Sequence, residues 1–399
     1  MRRKKTLIVL LLVLGVLTVV FYASIQRALW STLVLGELLN FESRGWLGRW
    51  TLPPRIEEFF YKGPSGLVKA DLYLPQPERN CPGILLNHGV VDTGKDDPRL
   101  RRFAEVLSRS GFVVFVPDFK GMRSFHIAPS DIDEVQAAYE NLLSLRKYVL
   151  ARSCGLFGFS YGAGPTMIAA CRPKIRQKVR FVVSFGGYYD LKNVIAFLVT
   201  GNFEFEGKTY YRKPQEYGKW VFLANNLHLV DSSVDRSILR DIVQHKLRDE
   251  QAPLDPFYSL LGEEGKNILA LLSSSGRRQN DSLIQKLRPD LRATIKALSI
   301  APALSRLQAD LILAHGEDDD MIPFTETLRL AKNAPDPNRV YWQILKSYSH
   351  MDPDRQPWTI ENFVTFYMPE GWKLFGLVYK LMGYRQGTSG KDNPGQIPP

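Results

Sequence analysis

The 399-residue chain contains few cysteines, namely Cys81, Cys154 and Cys171. An odd number of cysteines, with no Cys-x-x-Cys pair and no zinc-ligand spacing, argues against a disulfide framework and against a structural zinc site. We therefore expect three buried thiols. The sequence also has no visible internal repeat.

A basic block interleaved with aromatic residues is also missing. Lysine and arginine outnumber aspartate and glutamate by 52 to 41, which gives a net charge of +11. These charges are spread along the chain, whereas a nucleic-acid surface concentrates them on one face. We therefore expect a solvated basic surface with some attraction to anionic lipid, and no nucleic-acid partner.

A long apolar run occurs once, at the N-terminus. The basic residues 2–5 precede an uncharged stretch at 6–26, and at about 1.5 Å per residue its helix would span roughly 30 Å, the thickness of a bilayer core. A cleaved signal peptide has a shorter apolar region and a small-residue cleavage site. The sequence thus favours an uncleaved transmembrane signal-anchor at 1–27, with the basic residues in the cytoplasm. The rest of the chain would then lie on the non-cytoplasmic side, in the periplasm or an equivalent lumen.

Apolar strands alternate with helical segments after a segment at 28–54 that is predicted to be a stalk or, at 28–39, a membrane-proximal helix. Such alternation predicts a mostly parallel, doubly wound α/β sheet of about eight strands, with helices on both faces. The first part of this core is assigned to 55–186. Its clearest predicted strands lie at 56–61, 67–74, 83–87, 112–117 and 181–185.

The alternation stops at 187–305, where the sequence is helical and aromatic and shows no β-rich run. A crossover of this length is unusual, so we predict an inserted helical cap whose aromatic residues form an apolar wall. The second part of the core is assigned to 306–370. An amphipathic segment and a disordered tail follow at 371–399, and the amphipathic segment is predicted either to lie on a membrane surface or to pack as the last helix of the core.

The pentapeptide Gly158-Phe159-Ser160-Tyr161-Gly162 lies between an apolar strand and a predicted helix. A serine in this context occupies a nucleophile elbow, with its hydroxyl exposed at the edge of the sheet. Glycines two positions to either side let the strand and the helix approach closely. The pentapeptide alone is a weak signal, so its value depends on the residues around it.

A serine hydroxyl needs a base to accept its proton. Among the six histidines, His350 follows the last predicted strand, and loops at the carboxyl edge of a parallel sheet are where site residues gather. His88 and His315 each precede a glycine at a strand end. They could lie near the site, although we expect them to shape their turns.

The base also needs a carboxylate that fixes its tautomer. The four acids at 317–320 could suggest a metal site, but adjacent carboxylates cannot all face one ion without unusual backbone geometry. A polar loop with one inward-facing acid is the simpler interpretation, and we assign Asp319. Asp190, which follows another predicted strand, is the alternative.

Acyl transfer further requires donors for the oxyanion. The backbone N–H of Tyr161 lies at the start of a helix, where free N–H groups favour negative charge. A second donor is expected from the loop after the strand at 83–87, where Gly89 would let Val90 present its N–H.

These motifs resemble the α/β-hydrolase fold superfamily. Ser160, Asp319 and His350 follow its nucleophile–acid–base order. The other matching elements are His88-Gly89, Pro117-Asp118-Phe119-Lys120-Gly121, and Gly316-x-x-Asp319-x-x-x-Pro323. The loop at 120–124 departs from the pattern because it lacks a second glycine, and the large cap separates the nucleophile from the acid.

The resemblance implies an esterase, lipase, thioesterase or peptidase-like hydrolase. We expect a serine hydrolase that cleaves a carboxylic ester or related acyl bond through an acyl-enzyme on Ser160, with no metal or organic cofactor. The expected partners are a small-molecule or lipid-like acyl substrate and a membrane. An acyltransferase using the same three residues, or a non-catalytic binding protein of the same fold, is the alternative.

Overall fold

The computed structural model describes residues 2–39, 45–350 and 356–385, with side chains from residue 21 onward. Ten strands form an eight-stranded sheet and a separate hairpin. In chain order they are β1 Arg55–Gly63, β2 Gly66–Leu74, β3 Gly83–Asn87, β4 Val113–Pro117, β5 Gly155–Phe159, β6 Phe181–Phe185, β7 Asn202–Phe205, β8 Lys208–Tyr211, β9 Asp310–Gly316 and β10 Val340–Leu345.

The helices lie around the sheet and in the segment between β6 and β9. In chain order they are α1 Arg2–Leu39, α2 Trp46–Trp50, α3 Pro98–Arg109, α4 Lys120–Arg123, α5 Ser130–Ser144, α6 Ala163–Ala170, α7 Leu191–Thr200, α8 Glu216–Asn226, α9 Ser233–Arg248, α10 Asp255–Tyr258, α11 Glu263–Leu272, α12 Arg277–Lys286, α13 Pro289–Ala297, α14 Thr325–Asn333, α15 Ile360–Asn362 and α16 Met368–Arg385. A π-helical turn at Phe363–Tyr367 joins the last two.

The large sheet has the strand order β1-β2-β4-β3-β5-β6-β9-β10. Strand β2 pairs antiparallel with β1 and β4, whereas the strands from β4 to β10 pair in parallel. The predicted mostly parallel sheet of about eight strands is therefore confirmed. Because β4 and β5 lie on opposite sides of β3, the carboxyl ends of β3 and β5 form a topological switch point, where ligands bind in open α/β sheets.

Helices cover both faces of the sheet, and strands β3, β4 and β9 are buried throughout. Helices α5, α6 and α14 contribute to the apolar core on one face. Helices α1, α3 and α16 contribute to the core on the other. All three cysteines are buried and free, as expected from their number.

Helix α1 does not form the predicted stalk at 28–54. In its C-terminal half, Leu33 and Val34 are buried against the same core as α3 and α16. Glu37 is only 1% exposed, and it accepts hydrogen bonds from Arg102 at 2.6 Å and from the Gly48 N–H at 3.1 Å. This half of the helix is therefore docked on the body of the protein, although its leucines and valines fit a stalk equally well by composition.

Among the residues with described side chains, we find no helix long and apolar enough to cross a membrane. The apolar part of the signal-anchor predicted at 1–27 lies mostly outside those residues, because positions 2–20 are described only as a helical backbone. The structure therefore does not support the predicted anchor.

The segment 187–305 is mostly helical, but the expectation that it contains no strand is wrong. Strands β7 and β8 form an antiparallel hairpin whose turn residues, Glu206 and Gly207, both have positive φ angles. Two-residue hairpin turns of this kind have positive φ angles at both central positions, which glycine adopts readily. Helices of the segment enclose a small apolar core of their own, which includes Trp220, Leu239 and Leu269.

Helix α16 packs against the core, which is one of the two arrangements predicted for the segment after residue 370. Leu377, Leu381 and Tyr384 are buried on its inner side, while Trp372 is exposed. The predicted disordered tail, at 387–399, lies outside the described residues.

Candidate active site

Ser160 lies at the sharp bend between β5 and α6. Its φ angle is +49°, an uncommon value for a residue other than glycine. A Cβ atom at Gly158 would lie 2.6 Å from Cα of Ala163, and one at Gly162 would lie 2.8 Å from Cα of Gly89. Only glycine therefore fits at both positions, and the strain at Ser160 is held by close packing on either side.

Two hydrogen bonds link the three residues predicted to carry the chemistry. Ser160 Oγ lies 2.9 Å from His350 Nε2, and His350 Nδ1 lies 2.7 Å from Asp319 Oδ2. A carboxylate can only accept, so Nδ1 donates and Nε2 is free to accept the proton of the serine hydroxyl. The structure thus brings together three side chains from three different loops in the order that general-base activation of a hydroxyl requires.

Asp319 is 1% exposed yet surrounded by donors. Besides His350, it accepts hydrogen bonds from the backbone N–H groups of Met321 and Ile322, each at 2.8 Å, and lies 3.3 Å from His315 Nε2. Burial would raise the pKa of Asp319, but the charge of His350 and the hydrogen bonds from both histidines outweigh it and hold the pKa below its usual range. Asp319 is therefore ionised and can stabilise a positive charge on His350.

The other acids considered for this role point elsewhere. Asp190 caps helix α7 by accepting from the Lys192 N–H at 3.0 Å. Asp318 pairs with Arg212, and Asp320 accepts from Gln215 at 2.8 Å. Across the described residues, we find no group of acidic, histidine or cysteine side chains arranged to hold a metal ion.

The loop after β3 lies directly against the elbow. Gly89 has a φ angle of +73°, and a Cβ atom there would lie 2.6 Å from the carbonyl oxygen of Phe159. Val90, the predicted second oxyanion donor, is the next residue on this loop. Tyr161, the predicted first donor, directly follows Ser160 at the start of the helical turn. Tyr161 is therefore adjacent to the nucleophile in the chain, and Val90 directly follows a residue that packs against the elbow.

Asn87, which the sequence analysis missed, joins the loop to the elbow. Its buried side-chain amide donates to the carbonyl oxygen of Gly162 at 3.1 Å and to Thr166 Oγ1 at 3.2 Å, while its oxygen accepts from the Gly89 N–H at 3.2 Å. The only available signal was a polar residue that ends an otherwise apolar strand, just before His88.

The side chain of His88 hydrogen-bonds to backbone groups of this loop and of the loop after β4. Its Nε2 atom accepts a hydrogen bond from the Phe119 N–H at 3.2 Å, so its Nδ1 atom carries the proton and donates to the Gly89 carbonyl at 2.6 Å. Burial lowers the pKa of His88 to about 4, despite opposing effects of Gly89 and Asp118. His88 is therefore a neutral residue that shapes its turn, as the sequence suggested.

The side chain of Tyr161 links the elbow to helix α5. Its hydroxyl donates to Asp131 Oδ2 at 2.7 Å, and both residues are buried. Burial raises the pKa of Asp131 to about 6, although hydrogen bonds from the Ala128 N–H and from Tyr161 favour its ionised form. Sequence reasoning missed this contact because Asp131 opens a helix about thirty positions earlier, and no local pattern links that helix to the elbow.

A cavity of about 390 Å³ adjoins the site. His350 and Val90 line one part of it, and the rest is lined mostly by apolar side chains from the sheet, α1, α3 and α16, together with His88, Asp97, Arg99 and Arg102. None of its lining residues belongs to 187–305, a segment that the structure describes in full. The apolar wall expected from the cap is therefore supplied by other elements at this cavity.

Comparison with solved structures identifies the architecture. Acylaminoacyl peptidase from Pyrococcus horikoshii is 14% identical, with a TM-score of 0.50 over 90% of this chain and 45% of that one. The fold is that of the α/β-hydrolases. The likeness shows the fold alone, because the identity is low and this chain spans less than half the length of the peptidase.

Two other α/β-hydrolases are more distant in shape. A puromycin-hydrolyzing peptidase from Mycobacterium tuberculosis is 14% identical, with a TM-score of 0.49 over 86% of this chain and 40% of that one. Dienelactone hydrolase from Anabaena variabilis is 16% identical, with a TM-score of 0.40 over 75% of this chain and 89% of that one. No protein-family model matches the sequence, and no curated protein matches it.

Proposed function

We propose that this protein is a serine hydrolase that cleaves a carboxylic ester or a related acyl bond through an acyl-enzyme on Ser160. The observation that carries the proposal is the pair of hydrogen bonds from Ser160 through His350 to Asp319, at 2.9 and 2.7 Å. The strained elbow and the ionised, buried carboxylate support it.

The proposed reaction has two stages. Ser160 Oγ attacks the substrate carbonyl carbon while its proton passes to His350 Nε2, and Asp319 stabilises the imidazolium that forms. The N–H groups of Tyr161 and Val90 hold the tetrahedral oxyanion until the C–O bond of the ester breaks and His350 protonates the leaving alcohol. Water, activated by the same histidine, then releases the acid and restores the serine.

Labelling by a fluorophosphonate together with ester turnover tests the assignment. Ser160→Ala removes the nucleophile, so we expect labelling to disappear and kcat to fall by at least about 10³-fold. Ser144→Ala is the matched control, because Ser144 is an exposed serine on the surface of α5. Turnover and labelling that survive in Ser160→Ala would refute the proposal.

The same experiment separates the two alternatives. A labelled Ser160 whose acyl group passes to an added alcohol but not to water would identify an acyltransferase. An intact protein that neither reacts with the fluorophosphonate nor turns over esters would be a binding protein of this fold.

We also propose membrane attachment through residues 1–27, with the hydrolase body on the non-cytoplasmic side. This proposal rests on the sequence, namely a basic block followed by a long uncharged run. Extraction of membranes at alkaline pH tests it. The full chain should stay in the membrane pellet, and release into the supernatant would contradict attachment by a spanning helix.

A further inference from the structure

We propose that the 390 Å³ cavity beside His350, here called the rear cavity, receives a long apolar acyl chain whose carbonyl carbon lies at Ser160. The inference rests on the proposed function and names its substrate class, esters or related acyl compounds of medium- to long-chain fatty acids. It also assigns a specificity role to the C-terminal part of helix α1, which falls in the predicted stalk.

The rear cavity lies between the sheet and the three helices on one of its faces. Phe157, Val183 and Ile312, from β5, β6 and β9, line its floor. Leu38 of α1 and Val378 of α16 line its opposite side. Its walls therefore come from regular elements on the face of the sheet that also carries α1, α3 and α16.

One end of the rear cavity reaches the reacting groups. His350 lines it, and the Nε2 atom of this residue is 2.9 Å from Ser160 Oγ. Val90, on the loop predicted to bind the oxyanion, and Phe159, which directly precedes the nucleophile, line it as well. A substrate carbonyl held between Ser160 and Val90 would therefore lie next to this opening, and we assign the acyl side of the substrate to it.

The chemistry of the walls selects an apolar occupant. The lining is almost entirely aliphatic and aromatic, and the charged residues that border it already have partners: Arg102 binds Glu37 at 2.6 Å, and Arg99 binds Asp97 at 3.1 Å. A peptide in such a space would lose its hydrogen bonds with water and find few replacements. An alkyl chain loses none, and it gains from leaving water.

The volume of the rear cavity limits the length of the acyl chain that it can hold. At about 30 Å³ for each water-sized group, 390 Å³ has room for roughly a dozen groups. Acetyl and butyryl groups would leave most of that volume empty. The volume therefore fits an acyl chain on the order of ten carbons.

Filling the rear cavity should shorten the acyl chain that the protein accepts. Leu38→Trp places a bulkier side chain at the α1 wall, and Val378→Trp does the same from α16. Leu29→Trp is the matched control, because Leu29 is on the same helix, is exposed and does not line the cavity. The assay measures kcat/KM of the full chain for p-nitrophenyl acetate, decanoate and palmitate in one buffer.

The wild type should prefer decanoate to acetate by about 10-fold or more, since each buried methylene contributes to discrimination. In Leu38→Trp and Val378→Trp, the ratio of kcat/KM for decanoate to kcat/KM for acetate should fall about 10-fold. An unchanged circular dichroism spectrum shows that each variant is folded. Leu29→Trp should behave as wild type. In Ser160→Ala, decanoic acid should raise the Tm, and adding Leu38→Trp should abolish that rise.

Failure of the inference and failure of the proposed function give different results. A wild type that hydrolyses neither ester and is not labelled would overturn both. A labelled, active wild type with equal kcat/KM for acetate and decanoate would overturn the rear cavity as the acyl site and leave the serine hydrolase intact. If both filling variants keep the wild-type preference for decanoate, the rear cavity is not the acyl site, and the serine hydrolase proposal is unaffected.

Discussion

His88 should make the stability of the protein fall in mildly acidic solution. The folded protein keeps this imidazole neutral, because burial lowers its pKa from 6.5 to about 4. The unfolded chain therefore binds a proton more readily than the folded one between these two values. The contribution of His88 to stability is complete above pH 6.5 and is lost as the pH falls towards 4.

The size of the effect follows from the shift. From pH 6.5 to pH 5 is 1.5 units, and at about 1.36 kcal/mol per unit the folded protein should lose about 2 kcal/mol through this group. His88→Gln keeps a donor and an acceptor on the side chain but cannot take up a proton. We therefore expect the variant to be less stable than wild type at pH 7.5 yet to lose about 2 kcal/mol less between pH 7.5 and pH 5.

Equilibrium chemical denaturation at a series of pH values measures this difference. Asp131 and the other titrating groups are present in both proteins, so their contributions cancel in the comparison. His88→Asn, which keeps a polar side chain of different reach, is a second neutral control and should follow His88→Gln. If wild type and both variants lose the same stability over this range, the neutral, buried state assigned to His88 is wrong.

Two other perturbations test the site directly. Asp319→Asn should leave the fold intact but lower kcat by about 10⁴-fold, because an amide favours the wrong tautomer of His350. A loss of kcat below about 10-fold, with an unchanged circular dichroism spectrum, would argue against Asp319 as the carboxylate partner of His350. Gly89→Ala should destabilise the protein by at least about 1–2 kcal/mol in chemical denaturation and should also reduce ester turnover. The φ angle of residue 89 is +73°, and the new Cβ atom would meet the carbonyl oxygen of Phe159. Gly276→Ala, in open space with an extended backbone, is the control and should change neither quantity appreciably.

Local signals in the sequence were sufficient for the sheet and for the three linked side chains. Each of Ser160, Asp319 and His350 directly follows or closely follows a short apolar strand, and parallel strands bring their carboxyl ends to one edge. The positions of the predicted strands and their order along the chain were therefore enough to predict that these three residues lie close together. The local composition of 28–39, by contrast, fits either a stalk or a docked helix.

The features that the sequence did not reveal all depend on long-range packing. Asn87 acts through atoms of Gly162, and Tyr161 through Asp131, so neither role follows from neighbours in the chain. The rear cavity is a stronger example, since three helices from the beginning, the first third and the end of the chain enclose it. No periodicity within any one of them could have shown that they meet.

Contacts with α3 and α16 fix helix α1 in the position where it forms one wall of the rear cavity. Towards its middle, the Arg27 guanidinium lies 4.1 Å from the ring centroid of Tyr379 on α16. Near its C-terminus, the buried Glu37 binds Arg102 on α3. The helix is thus fixed to both flanking helices. Of its residues that line the cavity, Val34 lies between these two contacts and Leu38 directly follows the second. Losing Arg102 would leave the buried carboxylate of Glu37 without this ion pair, and an uncompensated buried charge costs several kcal/mol. We therefore expect this wall of the cavity to be rigid.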